Sequence, residues 1–545
     1  MQKNRFHRLM ALSAAVAAAF SAQAAGLPAQ VREVEGVHEY RLPNGLQVLL
    51  IPDASKPTVT VNVTYRVGSR MEGYGETGMA HLLEHLMFKS TKNIAQVSTE
   101  LSRRGMQFNG TTSEDRTNYF ETFPSDPAQL SWALKTEAER MVHANVIKKD
   151  LDSEMTVVRN EMESGENSPF RILMEKTNAA AFQWHAYGKS TIGARSDVEN
   201  VNIPRLQAFY RKYYQPDNAT LIVAGKFDAG KTLAQIAQDF GAIPKPARVI
   251  EPTYTVEPVQ DGEREVTLRR VGGEQDLFVT YHAPSIASPD MPAFSVIANA
   301  LGDTPNGRLH KRLVETGKAT QVFAWAARHT DPGSFNAAVL LKKDDDLGAA
   351  QKIFLDTIEG LKSEPVTADE LKRAQLQIDK SFDQLLANPQ ALCVTLSDFI
   401  AGGDWRLLFL QRDRVDALTV DQVNQVAARW IKPSNRTLGR FVPTDAPDRV
   451  PYATRTEPEA QLKDFKPRAA VAAGETFDAT PAGLDKRSQV VTLPNGMKLA
   501  LLPKKSKGGT VEMRFDLHFG TLESLRGQRG AAAAAGIIIG TGTET

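Results

Sequence analysis

Residues 40–50, Tyr-Arg-Leu-Pro-Asn-Gly-Leu-Gln-Val-Leu-Leu, return near the end of the chain as residues 491–501, Val-Thr-Leu-Pro-Asn-Gly-Met-Lys-Leu-Ala-Leu. Each copy reads as a strand, a tight Asn-Gly turn and a second strand. The recurrence implies a chain built from repeats of one domain type rather than around a single large core. A second match supports this: Tyr214-Gln215-Pro216-Asp217-Asn218 and Ile431-Lys432-Pro433-Ser434-Asn435 each follow a helical stretch and lead into a strand-like run, at a constant offset of 217 residues (431 − 214). Pro244, Pro246, Pro252 and Pro258 punctuate residues 244–262, and a polar segment from Pro443 to Lys486 does the same later. The expected organisation is a domain over 32–243, a homologous one over 262–443, a linker over 444–486 and the start of a third domain over 487–545. The first and third copies both continue into a further strand and a Gly-bounded loop, Gly75 to Gly78 and Gly527 to Gly530. The third runs for only about 60 residues, too short for a domain of the earlier size, and reads as truncated.

Composition narrows the function. With 65 Lys+Arg against 64 Asp+Glu, no net field draws the protein to nucleic acid or to an anionic membrane. Apolar residues at 42% and charged residues at 24% are the balance of a soluble globular chain. The single cysteine, Cys393, forms no intrachain disulfide and no CxxC site, so any metal must be held by His and carboxylates. Lys3, Arg5 and Arg8 precede an apolar run from Leu9 to Phe20, and Ala22-Gln23-Ala24 offers a cleavage site. Residues 1–24 therefore read as a signal peptide directing export to the periplasm, with no membrane insertion once it is removed.

His81-Leu82-Leu83-Glu84-His85 lies in an apolar stretch from Met79 to Phe88 that lacks Gly and Pro and reads as a buried helix. The i, i+4 spacing stacks two imidazoles on one face, as two ligands of a tetrahedral Zn²⁺ require. Glu84 projects beside them, where a carboxylate can take the proton of a water acidified by the metal. The competing reading is a pair of core histidines. A catalytic site needs a third ligand and an open position, and a carboxylate is the natural donor. Residues 150–166 form a charged amphipathic helix in which Glu154 and Glu161, seven apart, share a face. Glu161 is the better ligand candidate, Glu163 competes with it, and Glu154 is placed to orient a ligating His.

The motif His81-Leu-Leu-Glu84-His85, followed by Glu154-Met-Thr-Val-Val-Arg-Asn-Glu161, resembles the pitrilysin/insulinase family of zinc peptidases, exported bacterial type, whose motif inverts the usual His-Glu-x-x-His order. The resemblance takes in Asn109-Gly-Thr-Thr112, Asp115, Thr117, Tyr119, His185-Ala-Tyr187-Gly188 and Ile192-Gly193, and runs from about residue 36 to the end. It implies an α/β (α+β) fold of duplicated two-layer domains, each an antiparallel-rich sheet packed by helices, making half of a clamshell plus the start of a second half. It further implies one Zn²⁺ per chain on His81, His85 and Glu161, with Glu84 as general base and Glu154 in support. An edge strand over Phe108, Asn109, Gly110, Thr111 and Thr112 is implied to pair with extended substrate. The offset of 217 sets Ala298, Leu301 and Gly302 opposite His81, Glu84 and His85, and an offset of 452 gives Ala533, Gly536 and Ile537 in the third copy, so neither repeat is expected to bind zinc.

The expected activity is that of a zinc-dependent endopeptidase acting on unfolded peptides or small proteins. Because family members of the single-chain kind use a second half to close the chamber, a missing C-terminal half or a partner chain is expected to complete it. The alternative is a noncatalytic assembly or chaperone-like subunit of the same fold; the intact five-residue motif argues against it for the first domain.

Overall fold

The computed structural model describes residues 27–541, so the signal-peptide assignment lies outside the described residues. The chain forms two compact units, one ending at Asp448 and the other beginning at Arg449. An Asn-Gly turn sets one hairpin in each. At the turn between β2 (Val37–Arg41) and β3 (Gln47–Pro52), the Leu42 N–H donates to the Leu46 carbonyl at 2.9 Å and the Asn44 side chain accepts from the Leu46 N–H at 3.2 Å. Gly45 takes φ +99°, a left-handed conformation that costs glycine little. The later copy repeats this bond for bond: Leu493 N–H to Met497 carbonyl at 2.8 Å, Met497 N–H to Asn495 Oδ1 at 3.1 Å, and Gly496 at φ +84°.

In the first unit, β1 (Gln30–Val34), β2 and β3 join β4 (Thr58–Tyr65), β5 (Gln107–Thr112), β6 (Thr117–Pro124) and β7 (Ala219–Gly225) in a seven-stranded sheet ordered β1-β2-β3-β7-β4-β6-β5. A second sheet holds β8 (Arg264–Arg270), β9 (Glu274–Ala283), β10 (Gln321–Ala326), β11 (Gly333–Lys342) and β12 (Arg436–Pro443), ordered β10-β11-β9-β12-β8. Only β3 with β7 and β8 with β12 run parallel; the other neighbours are antiparallel. The run β3-β7-β4-β6-β5 matches β8-β12-β9-β11-β10 position by position, with the parallel pair in the same place. The starts of β3 and β8, Gln47 and Arg264, and of β7 and β12, Ala219 and Arg436, keep the offset of 217. We read this as the duplication the sequence suggests.

Each sheet packs its own helices on one face. Val59, Val61 and Val63 of β4 meet Leu82, Leu83 and Leu86 of the motif helix in one apolar core, and β9 and β11 build a second core with the helix Met291–Gly302. The other faces are exchanged between the domains. Helix Pro169–Ala181, from the first, lies on the second sheet, with Ile172 and Leu173 against Phe278, Ala338 and Phe441. Helix Pro389–Ala401, from the second, lies on the first sheet, where Leu392, Leu396 and Phe399 join Leu49, Ile222 and Ala224. The sequence boundary near residue 250 is therefore not a packing boundary, because each sheet depends on a helix from the other.

In the unit after Asp448, β13 (Gln489–Thr492) and β14 (Lys498–Leu501) form the hairpin and a helix spans Arg529–Ile538. The further strand expected before the Gly-bounded loop does not form, and Val511, Met513, Phe515, Leu517 and Phe519, which alternate there, are all exposed. Its counterpart β4 is hydrogen-bonded on both sides, by β6 and β7, which come later in the chain. Among the described residues no strand follows β14, so residues 511–519 have no ladder to join.

Candidate metal centre

The motif helix Met79–Leu86 starts where Gly78 takes φ +92°. Gly78 is pressed so closely on Ile192 and Gly193 that a Cβ would lie 2.7 Å from the Ile192 carbonyl oxygen. The orphan amides at the helix start are met by Glu72, whose carboxylate accepts from the Gly78 and Ala80 N–H groups at 2.9 and 2.8 Å. Burial pushes the Glu72 carboxyl up to about 8, against the pull of those two amides. Met79, Leu82, Leu83 and Leu86 are buried in the core. His81, Glu84 and His85 are left facing helix Lys148–Asn167 and the strand β5.

Helix Lys148–Asn167 ends at Ser168-Pro169, where proline suits the first turn of the next helix and Ser168 caps it. Its two turns from Glu154 to Glu161 carry one carboxylate to each side of the His85 ring. His85 Nδ1 lies 3.1 Å from Glu154 Oε2, while His85 Nε2 lies 3.4 Å from Glu161 Oε2. The Glu154 carboxylate accepts from Nδ1–H, which assigns the tautomer and leaves the Nε2 lone pair free. Lys89 pairs with the other Glu154 oxygen. Burial raises the Glu154 carboxyl, but the Lys89 ammonium and the His85 ring outweigh it and hold it below its usual range.

His81 Nε2 lies 3.4 Å from His85 Nε2 and 3.4 Å from Glu161 Oε2. The three donor atoms thus form a triangle with sides of 3.4 Å. A tetrahedral zinc with ligand bonds of about 2.0–2.1 Å sets its donors about 3.3–3.4 Å apart, so the triangle fits one face of such a site. Burial, with the His85 ring adjacent, lowers His81 to about 4, which keeps the imidazole neutral and able to donate a lone pair near neutral pH. Glu161 is 45% exposed, leaving water access to the fourth position. Glu163, the competing ligand candidate, points instead to Arg195 at 3.4 Å.

Glu84 is held by β5. The Thr112 hydroxyl donates to Glu84 Oε2 at 2.6 Å, and a Cβ on Gly110 would lie 2.9 Å from Glu84 Cγ and 3.1 Å from Oε1. Burial raises the Glu84 carboxyl above its ordinary range; Thr112 and the nearby His85 pull it down, while Glu161 adds to the rise. Glycine at 110 is required for space, and Gly110→Val is expected to displace Glu84. We expect zinc content to be kept and kcat on a peptide to fall by about 10–100-fold; unchanged kcat would remove the close fit from the site.

Strand β5 is an edge, paired among the described residues only with β6. The Ser113 N–H donates to the Arg116 carbonyl across the turn, so by strand alternation Thr111 and Asn109 face β6, and Phe108, Gly110 and Thr112 turn their backbone N–H and C=O groups outward. On the motif-helix side, Thr112 and Gly110 lie against Glu84, and Phe108 packs on Phe88, just beyond the end of that helix, with ring centroids 5.5 Å apart. Sequence reasoning missed Lys89, Glu72 and the hold of Thr112 on Glu84, since nothing in local spacing signals these contacts. His185, Tyr187 and Asp115 bond to one another's neighbourhood and to the second domain: the Tyr187 hydroxyl donates to Asp115 at 2.9 Å, and His185 Nε2 lies 3.3 Å from Asp331.

In the second domain the offset of 217 carries Glu154 and Glu161 onto Leu371 and Ile378 of helix Ala368–Leu386. Gly302, opposite His85, abuts β10, where a Cβ would lie 2.6 Å from the Ala324 nitrogen. The corresponding positions carry no metal donors.

Comparison with known proteins agrees with this division. Residues 47–195 match the family described as Insulinase (Peptidase family M16), and residues 200–378 match the Peptidase M16 inactive domain. The chain is 30% identical over 404 residues to the zinc protease PqqE of Helicobacter pylori, covering 73% of this chain and 90% of that one. The crystal structure of a protease from Helicobacter pylori superposes with a TM-score of 0.72 at 28% identity, over 76% of this chain and 100% of that chain. The periplasmic protease PqqL of Escherichia coli, at 19% identity and a TM-score of 0.63, is matched over 87% of this chain and 56% of its own length. The chain belongs to the insulinase family of peptidases, family M16, and has its mixed α/β fold. Zinc is the metal by which its relatives are named. Among the described residues no helix is long and apolar enough to cross a membrane.

Proposed function

We propose that the protein is an exported zinc endopeptidase, acting in the periplasm on unfolded peptides or small proteins, with one Zn²⁺ per chain held by His81, His85 and Glu161. The observation that carries this reading is the triangle of donor atoms with 3.4 Å sides beside an independently held carboxylate. Zinc bound there supplies a Lewis acid that polarises a carbonyl and acidifies water. An extended peptide adds to β5 through the outward backbone groups of Phe108, Gly110 and Thr112, displacing Asn109 Oδ1 from the Gly110 N–H, to which it is bonded at 3.0 Å, while Asn109 and Thr111 keep β5 in register with β6. Glu84 takes a proton from the attacking water at its carboxylate and returns it to the departing amine. Glu154 keeps the His85 ring in the tautomer and orientation that ligation requires.

Glu84, adjacent to His85 in the motif and near enough for His85 and Glu161 to act on its charge, favours catalysis over a purely structural metal. The likeness to the first part of a longer periplasmic protease supports a second half, or a partner chain, that closes over the substrate. Elemental analysis of the purified full chain is expected to give one zinc per chain, and chelation is expected to abolish peptide hydrolysis until zinc is restored. Zinc far below one per chain, with hydrolysis indifferent to chelator, would sink the proposal.

A further inference from the structure

The turn that follows β5 is gripped by the second domain. Arg116 is buried, and its Nε and Nη2 donate to Asp398 Oδ1 at 3.0 and 2.9 Å. Asp398 sits on the exchanged helix Pro389–Ala401. The remaining arm of the guanidinium, Nη1, donates to the Thr111 carbonyl at 3.2 Å, to Asn118 Oδ1 at 2.7 Å and to the Thr111 hydroxyl. One planar fork thus joins the end of β5, the neighbouring strand β6 and the second domain. Its neighbour Asp115 is held as firmly, accepting from Arg70 Nε at 2.6 Å, from the Tyr187 hydroxyl at 2.9 Å and from the Thr330 N–H of the second domain at 2.9 Å.

The same helix continues the grip across the back of the sheet. Ser397 bonds Thr64 at 2.8 Å, and Gln390 accepts from Thr122 at 3.0 Å. A strand paired on one side only is prone to fray at its end. Here that end carries Thr112, which holds Glu84, one residue from Thr111, which Arg116 holds. An ion pair of this kind is a poor source of stability, but the fork of an arginine fixes geometry as a lysine cannot.

We propose that Arg116 is a positioning residue for the substrate edge: through Asp398, the metal-free second domain fixes the end of β5 and so the backbone with which an extended peptide pairs. This rests on the reading of β5 as the peptide-binding edge. It gives the second domain a part in substrate binding without any contact to substrate, and it couples domain packing to the site.

The test uses the full chain carrying Glu84→Gln, loaded with zinc. Two fluorescent probes are titrated: an unstructured peptide of about ten residues, long enough to span the strand, and a small hydroxamate that needs only the metal. Asp398→Ala is expected to weaken the peptide Kd about tenfold, with hydroxamate affinity and zinc content unchanged and Asp398→Glu restoring peptide affinity. Arg116→Lys, which keeps the charge beside Asp398 but loses the fork, is expected to act like Asp398→Ala and serves if that variant fails to fold. A peptide Kd within about twofold of the parent in both variants overturns the proposal, as does equal weakening of both probes. A parent that binds zinc and hydroxamate but no peptide overturns the edge-strand reading and this proposal with it. A parent that binds no zinc overturns the metal reading alone, because the peptide Kd still decides the role of Arg116.

Discussion

Glu84→Gln is expected to retain one zinc per chain while turnover of a peptide substrate falls by about 10²–10⁴-fold. The amide matches the carboxylate in size, and its oxygen still accepts from the Thr112 hydroxyl, now at 2.6 Å from Glu84 Oε2. Gly110 leaves no slack around Glu84, so the substituted side chain keeps its place. What it loses is the ability to take a proton. Because the three donor atoms of His81, His85 and Glu161 do not include Glu84, metal content and thermal stability should be close to those of the parent. Metal analysis paired with kcat separates the outcomes. Hydrolysis equal to the parent would remove Glu84 from the chemistry, and loss of zinc would place it among the ligands.

The site was legible where chemistry follows helical period, and illegible where it depends on packing. His81 and His85 at i, i+4, and Glu154 and Glu161 seven apart, are read directly from a spacing of 3.6 residues per turn. The same spacing favours Glu161 over Glu163 but leaves Glu163 in competition, since both lie on a charged helix; the fold turns Glu163 to Arg195. Lys89 and Thr112 act on Glu154 and Glu84 from other elements, which no local pattern announces.

The fold shows the same division. The shared Asn-Gly hairpins and the offset of 217 point to repetition, and five strands of the first sheet follow the same order as the five of the second. Strand β4, however, alternates Val59, Val61 and Val63 with Thr60, Asn62 and Thr64, the period of a strand with one face in water. The structure buries the polar face too, because the second domain's helix lies on it and answers Asn62 and Thr64 with Ser397. A buried polar face needs partners of its own, and those partners are some 330 residues away in sequence. This is why two domains that look separable in sequence, one with donors and one without, pack as one unit.

Glu161→Ala is expected to weaken zinc binding by more than about 100-fold, since loss of a residue that merely supports a ligand already costs about 10–100-fold. Two imidazoles alone leave a tetrahedral ion short of protein donors, and the carboxylate also supplies the only negative charge in the triangle. Glu163→Ala is the matched control. It lies two residues along the same helix and removes a like charge, but its partner is Arg195 rather than the histidines, so zinc affinity should be within about twofold of the parent. Competition titrations with a chromophoric chelator measure both variants on one scale. If the two lose zinc equally, the net negative charge of the helix holds the ion rather than a ligand, and the assignment of Glu161 fails. If only Glu163→Ala loses it, the helix face has been misread, and the 3.4 Å triangle is not the metal site.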